Sequence, residues 1–254
     1  MQLIVLGVGS SAGTPVIGCD CDTCRSDNPR NKRTRCSSAI QTDSGEIILI
    51  DTGPDIRTQS LRENIRRVDA VLYTHVHADH LNGIDDLRAF CQIQKKQIPL
   101  FGNPHTIENI TSRFGYALRD AGTYWDMPVL KAHAVTEPFN VCGEIVIPIP
   151  VKHGRSDILG WRIRNFAYLT DISEIPESSM SLLQGLDVLL IDCLRYKPHH
   201  THVNLEQSLA YVGQIAARQA YLIHMTHEID YDVLQKELPE GVALGYDGLR
   251  LMLA

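Results

Sequence analysis

The sequence predicts an α/β protein whose sheets are covered by helices. Apolar runs of strand length recur along the whole chain, amphipathic stretches lie between them, and no low-complexity linker, repeat or charge block interrupts the alternation. The first half is rich in consecutive strands and the second mixes strands with helices. At 254 residues, with 44% hydrophobic and 21% charged content, the chain can bury a sizeable core, and we read residues 1–254 as one domain.

The first run, 2–7, is a strand: it has neither the basic n-region nor the long apolar stretch of a signal peptide. The loop Gly7-Val8-Gly9-Ser10-Ser11-Ala12-Gly13 has the look of a dinucleotide fingerprint. Thr14-Pro15-Val16-Ile17-Gly18 follows where a helix should begin, so the glycines are expected to let backbone pass close to something else. Strands are predicted at 37–42, 46–51, 70–73, 98–101, 141–151, 159–171, 187–192, 220–223 and 242–252, where β-branched and apolar residues dominate. Helices are predicted at 54–66, 80–93, 104–121, 174–184, 204–217 and 230–237. Pro54, Pro104 and Pro176 stand where a helix can start without an amide to offer, and Asn204 is placed to cap Leu205-Glu206-Gln207.

Function is concentrated in Thr74-His75-Val76-His77-Ala78-Asp79-His80, directly after the apolar run Val68–Tyr73. Imidazole nitrogen and carboxylate oxygen at the end of a buried strand suit zinc, manganese or iron, and donors this close can serve two ions as readily as one. Three more ligand-type residues stand where an apolar run meets a loop: His153, Asp171 and His224. Separately, Cys19-Asp20-Cys21-Asp22-Thr23-Cys24 supplies thiols at C-x-C-x-x-C spacing. Three thiolates fill three corners of a tetrahedral zinc, and a closed structural site needs a fourth donor, either Cys36 or a residue from far along the chain. His105 and His133 have no supporting context and read as ordinary groups, and surface exposure is the default reading of His199 and His200.

Composition excludes several classes. The net charge of -6 gives no basic field to collect nucleic acid, and no apolar segment reaches the length of a membrane span. Without a secretory signal the seven cysteines are expected to be thiols or metal ligands, which points to the cytoplasm.

The ordered set His75, His77, Asp79, His80, His153, Asp171 and His224 resembles the H-x-H-x-D-H motif and later ligands of the metallo-β-lactamase superfamily. The resemblance implies an αββα four-layer sandwich with two divalent ions at one edge of the sheets. It assigns His75, His77 and His153 to one ion, Asp79, His80 and His224 to the other, and Asp171 as the bridge. Asp51 takes the place of a family aspartate that orients a ligand imidazole. The cysteine element and the pair in Ile223-His224-Met225-Thr226-His227 narrow the resemblance to the PhnP group, which implies His227 as the fourth ligand of a structural zinc. It also implies His202, just before the Asn204 helix, as proton donor to the leaving group, with Asp79 as the other catalytic side chain.

The implied activity is hydrolysis of small phosphodiesters, cyclic ribose or nucleotide phosphates among them. The alternatives are a thioester or lactone hydrolase of the glyoxalase-II type and a non-catalytic accessory protein like PqqB. The tRNA 3′-processing relatives grip tRNA with a long basic arm; none is evident here, so no nucleic-acid polymer and no membrane is expected as partner, and a homodimer is left open.

Overall fold

The computed structural model describes residues 1–118 and 129–253. Two seven-stranded sheets pack face to face. The first contains β1 (Gln2–Gly7), β2 (Ser37–Gln41), β3 (Ile47–Ile50), β4 (Ala70–Leu72), β5 (Ile98–Gly102) and β6 (Leu130–Ala134) in that spatial order. The second contains β7 (Phe139–Val141), β8 (Glu144–His153), β9 (Ser156–Ile163), β10 (Phe166–Leu169), β11 (Val188–Asp192), β12 (Gln219–Ile223) and β13 (Val242–Leu244). The last strand, β14 (Arg250–Met252), returns to the free side of β1.

The helices in chain order are α1 (Asp22–Arg25), α2 (Ile56–Arg62), α3 (Ala78–Leu81), α4 (Leu87–Gln94), α5 (Pro104–Leu118), α6 (Glu177–Met180), α7 (Leu205–Ile215) and α8 (Tyr231–Leu234). Strand side chains alternate in direction, and here both faces of the first sheet are buried. Leu3, Val5, Ile48, Ile50 and Leu72 join Ile149, Trp161, Tyr168 and Leu189 in the core between the sheets. Their neighbours Ile4, Leu6, Leu49, Val71 and Tyr73 pack outward on Ile56, Leu87, Phe90 and Ile110 of the covering helices. Leu183, Val212 and Ile215 close the other side. The αββα layering expected from the resemblance is the layering found.

Strand direction is what positions the site. β3, β4, β5 and β6 are mutually parallel, as are β10, β11, β12 and β13. β8 is antiparallel to β9, which is antiparallel to β10, so β8 runs with β10. The carboxyl ends of β3, β4, β8, β10, β11 and β12 therefore deliver Asp51, the Thr74–His80 loop, His153, Asp171, Asp192 and His224 to one edge, where α/β sheets gather ligand groups.

Several predicted elements are divided. The 141–151 run turns at Cys142 and Gly143, both with positive φ, and only its second part is β8. The 159–171 run breaks at Arg164 (φ 50°) into the hairpin β9–β10, leaving Asp171 outside the ladder. The 242–252 run splits between sheets, with Gly248 (φ 89°) in the connection. The 80–93 helix starts earlier, at Ala78, and is interrupted before α4 because Gly83 must pass the Gly53 carbonyl so closely that a Cβ would lie 2.1 Å from it.

The 174–184 helix is a single turn, α6, continued by the 3-10 turn Ser181–Leu183, and 230–237 shrinks to α8, capped by Asp230. Positions 119–121 of the predicted 104–121 helix lie outside the described residues. β6 escaped the sequence reading although Leu130-Lys131-Ala132-His133-Ala134 alternates apolar and polar residues; two of its three apolar residues are alanines, so the run carries little hydrophobic weight. The Asn204 cap is found, completed to a capping box by Gln207.

Candidate metal centre

The Thr74–His77 segment leaves β4 in extended form and α3 begins at Ala78, which turns Asp79 and His80 back toward the strand end. The donor atoms fall into two groups that share Asp171: His75, His77, His153 and Asp171, and Asp79, His80, Asp171 and His224, all within 4.8 Å of one another in each group. Asp171 divides its oxygens between them. Oδ2 lies 3.8 Å from His75 Nε2, while Oδ1 lies 3.1 Å from His80 Nε2 and 3.3 Å from His224 Nε2.

The fit to a metal ion rests on the unused nitrogens. Nε2 of His75, of His80 and of His224 is buried without a hydrogen-bond partner, yet all three face carboxylates. Orphaned buried polar atoms are rare and costly, and three gathered around the two oxygens of Asp171 need partners that can sit between imidazole and carboxylate. Electrostatics agrees. Burial alone would raise the Asp171 carboxyl, but His224, His80 and His75 hold it well below the usual carboxylate range. Burial and its histidine neighbours keep His75 uncharged, and burial pushes His153 down to about 4, so both are the neutral imidazoles a metal requires.

A second layer fixes the rings. Asp51 accepts from His80 Nδ1 at 2.7 Å and from the Thr74 hydroxyl at 2.8 Å on one oxygen, and from the Thr74 amide at 2.8 Å on the other. The Thr74 hydroxyl in turn lies 3.0 Å from His75 Nδ1, so one buried carboxylate sets two rings and leaves both Nε2 atoms facing inward. His153 Nδ1 donates to the Thr201 carbonyl at 2.8 Å. Asp51, Asp171 and His224 all adopt left-handed backbone, with φ of 60°, 56° and 59°. Such conformations persist in non-glycine residues only where surroundings over-determine them, and they cluster at functional sites.

His202 sits against this centre. Its ring stacks on His224 at 4.9 Å and meets His153 edge-on at 4.7 Å; Nε2 lies 3.9 Å from Asp171 Oδ2. Its Nδ1 donates at 2.9 Å to Asp192, a buried carboxylate the sequence reading passed over. The signal was present: Asp192 ends an apolar run as Asp171 does. Of the histidines read as ordinary, His133 stacks on Phe101 and His200 is exposed beside His199. His105 differs from that expectation, because it lines a cleft with His75, His77 and His153.

At the opposite end of the His224 loop, Sγ of Cys19, Cys21 and Cys24 lie 3.2, 3.4 and 3.5 Å from His227 Nδ1. Cys36 is not in this group; it is fully buried in the inter-sheet core. The Cys24 amide and the neighbouring thiols hold the Cys21 thiol near 7, within reach of the thiolate form zinc takes. The glycine loop explains itself here. Gly9 passes the Arg33 and Thr34 carbonyls too closely for a side chain, and it pairs with Met225, the residue after His224.

Residues 46–225 match the β-lactamase superfamily domain. The chain belongs to the metallo-β-lactamase superfamily. The chain superposes on a diphosphatase from the PhnP family with a TM-score of 0.93 and 40% identity, covering 100% of this chain and 98% of that one. Similarity at that level places it in the PhnP family. Zinc-bound PqqB from Methylobacterium extorquens shares the fold, with a TM-score of 0.83 and 21% identity over 100% of both chains. An octanoyltransferase from Porphyromonas gingivalis is 39% identical over 100% of this chain but only 52% of its own length, so the chain spans about half of that relative. No described helix is long and apolar enough to cross a membrane.

Proposed function

We propose that this hydrolase is a metal-dependent phosphodiesterase acting on small phosphodiesters, cyclic ribose or nucleotide phosphates among them. The observation that carries the reading is His202: a histidine outside both donor groups, held on Nδ1 by Asp192 and presenting Nε2 beside Asp171. Two divalent ions bound at this centre (manganese, zinc or iron) would lower the pKa of a shared water and offset charge developing on the phosphoryl oxygens. His75, His77 and His153 would hold one ion and Asp79, His80 and His224 the other, with Asp171 shared. Asp79, the second catalytic side chain, is kept ionised by His80 and His224 although burial opposes it. In hydrolysis a water oxygen bonds to phosphorus as the bond to the departing oxygen breaks. His202 holds a proton at Nε2 for that oxygen, and Asp192 orients the ring and balances the imidazolium.

The PhnP-family relative is named a diphosphatase, which supports attack at phosphorus. The octanoyltransferase name favours a second reading, hydrolysis of an acyl thioester, which needs the same metal donors. A non-catalytic role like that of an accessory protein leaves the full donor set unused. The assay that decides is turnover of bis-p-nitrophenyl phosphate beside octanoyl-coenzyme A, in protein reconstituted with manganese or zinc. Diester turnover with little thioester turnover is expected; the reverse ratio would replace the first reading with the second, and no turnover of either would favour the accessory role.

The proposal includes a structural zinc on Cys19, Cys21, Cys24 and His227. Such a site contributes folding free energy directly. Cys21→Ser is therefore expected to cost about 3 kcal/mol or more, roughly a 10 °C fall in Tm for a chain of this size. The check is calorimetry with elemental analysis. Zinc content unchanged by the substitution would remove Cys21 from the site.

A further inference from the structure

Arg33 is 2% exposed, which puts its guanidinium out of reach of solvent and substrate. Nη1 donates to the Thr226 carbonyl at 3.0 Å, and Nη2 donates to the Ile229 carbonyl at 2.6 Å and to the Asn31 side chain at 2.9 Å. Nε is buried without a hydrogen-bond partner. Asn31, itself buried, stands between the guanidinium and the Asp230 carboxylate, to which its Nδ2 donates at 2.9 Å. Burial pushes Arg33 down to about 10 against the pull of Asp230 and Asp247, so the group stays charged at neutral pH. A charge held this far from water, with one donor unanswered, is a poor way to stabilise a fold. What the guanidinium does accomplish is to fix two carbonyls in the segment that joins the two metal sites.

That segment has no slack. His224 belongs to the catalytic centre and His227 to the cysteine site, and only Met225 and Thr226 separate them. Met225 donates its amide to the Val8 carbonyl at 2.9 Å and accepts from the Ser10 amide at 3.1 Å. Thr226 donates to the Leu194 carbonyl at 2.9 Å and accepts from Arg33. The main chain of Arg33 holds the other half of the cysteine site. It exchanges amide and carbonyl with Thr14, at 2.7 and 2.9 Å, on the stretch that leads into Cys19. Its neighbour Lys32 donates from Nζ to the Cys24 carbonyl at 3.2 Å. Arg33 is therefore tied to the cysteines by its backbone and to the histidine loop by its side chain.

We propose that Arg33 is a positioning residue that couples the two metal sites: zinc on Cys19, Cys21, Cys24 and His227 sets the place of His224, and with it the affinity for the ion that Asp79, His80 and His224 would hold. The inference rests on the two metal sites proposed above and adds to them the dependence of one on the other. It is selective. The other ion position draws on His75, held through the Thr74 hydroxyl, and on His153, held through the Thr201 carbonyl, and neither contact involves the His224–His227 segment. The coupling is also reciprocal, so filling the catalytic centre tightens zinc by the same factor.

The test reads metal binding directly. Thiolates keep zinc at the cysteine site while manganese fills the imidazole and carboxylate centre, and electron paramagnetic resonance distinguishes a coupled manganese pair from a lone ion. Arg33→Gln is expected to weaken the His224 ion roughly tenfold while the other manganese ion and bound zinc remain, so partly loaded protein shows the lone-ion spectrum. Circular dichroism checks the fold of the variant. A second measurement needs no substitution: at fixed manganese, adding zinc to zinc-depleted wild type should convert the lone-ion spectrum to that of the pair, and the same addition to Arg33→Gln should change little. Equal weakening of both manganese ions in Arg33→Gln would make Arg33 a general support of the fold, and a manganese pair indifferent to zinc would end the coupling; either result overturns the inference. A wild type that binds no zinc counts against the zinc reading instead, and Arg33→Gln by itself then decides whether Arg33 places His224.

Discussion

Asp171→Ala is expected to abolish turnover and to lower the metal content of the catalytic centre, while circular dichroism reports an intact fold. Asp171 is the one side chain common to both donor groups, with one oxygen turned to each. Losing a residue that merely supports a ligand typically costs ten- to hundredfold in metal affinity or activity, and a shared ligand should cost more. The substitution also strips a buried carboxylate from the side of His80, whose charged form Asp171, Asp79 and Asp51 together sustain against burial. The unpaired imidazoles would shed protons, so metal-free Asp171→Ala should remain folded at neutral pH. Elemental analysis beside bis-p-nitrophenyl phosphate turnover separates the possibilities. Full activity, or wild-type metal content with activity gone, would show that Asp171 does not bridge two ions.

The parts of this site that were legible in the sequence are those fixed by spacing. His75, His77, Asp79 and His80 fall within one short segment, so a loop and one helical turn suffice to make them converge. His153, Asp171 and His224 were legible for another reason: each ends or follows a buried run, and strands that run the same way in one sheet end on the same edge. Asp192 obeys the same rule and was overlooked because its partner, His202, lies ten residues on across a loop without periodic pattern. The Thr74 relay from Asp51 to His75 could not be read at all, since it depends on side-chain rotamers.

The three divided strands share one physical cause. The 141–151, 159–171 and 242–252 runs carry apolar residues on both sides of their breaks, and hydrophobic pattern does not register a turn that falls on Cys142-Gly143, on Arg164-Asn165 or near Gly248. His105 shows the converse. Nothing local marks it, and it becomes a cleft residue only because Asn103 ties α5 to β9.

His202→Ala is expected to leave metal content and fold intact and to slow the enzyme by an amount that depends on the leaving group. The ring belongs to neither of the two donor groups built on Asp171, so both keep their donors without it. It does lie within ligand distance of Asp192 and His224 in a third, smaller cluster, which makes metal content the first measurement. General acid catalysis contributes about a hundred- to ten-thousand-fold, and it matters most where the departing oxygen is basic. A nucleoside 2′,3′-cyclic phosphate expels a sugar alkoxide and should lose most of that factor in the variant. A p-nitrophenolate needs little protonation, so bis-p-nitrophenyl phosphate should lose far less. The ratio of the two losses is the decisive quantity, because a residue that only positions substrate would slow both esters alike. Loss of metal would make His202 a ligand, and equal slowing would make it a binding residue; either result would end its assignment as the proton donor, and Asp192 would then have to be explained as support for His224 rather than for His202.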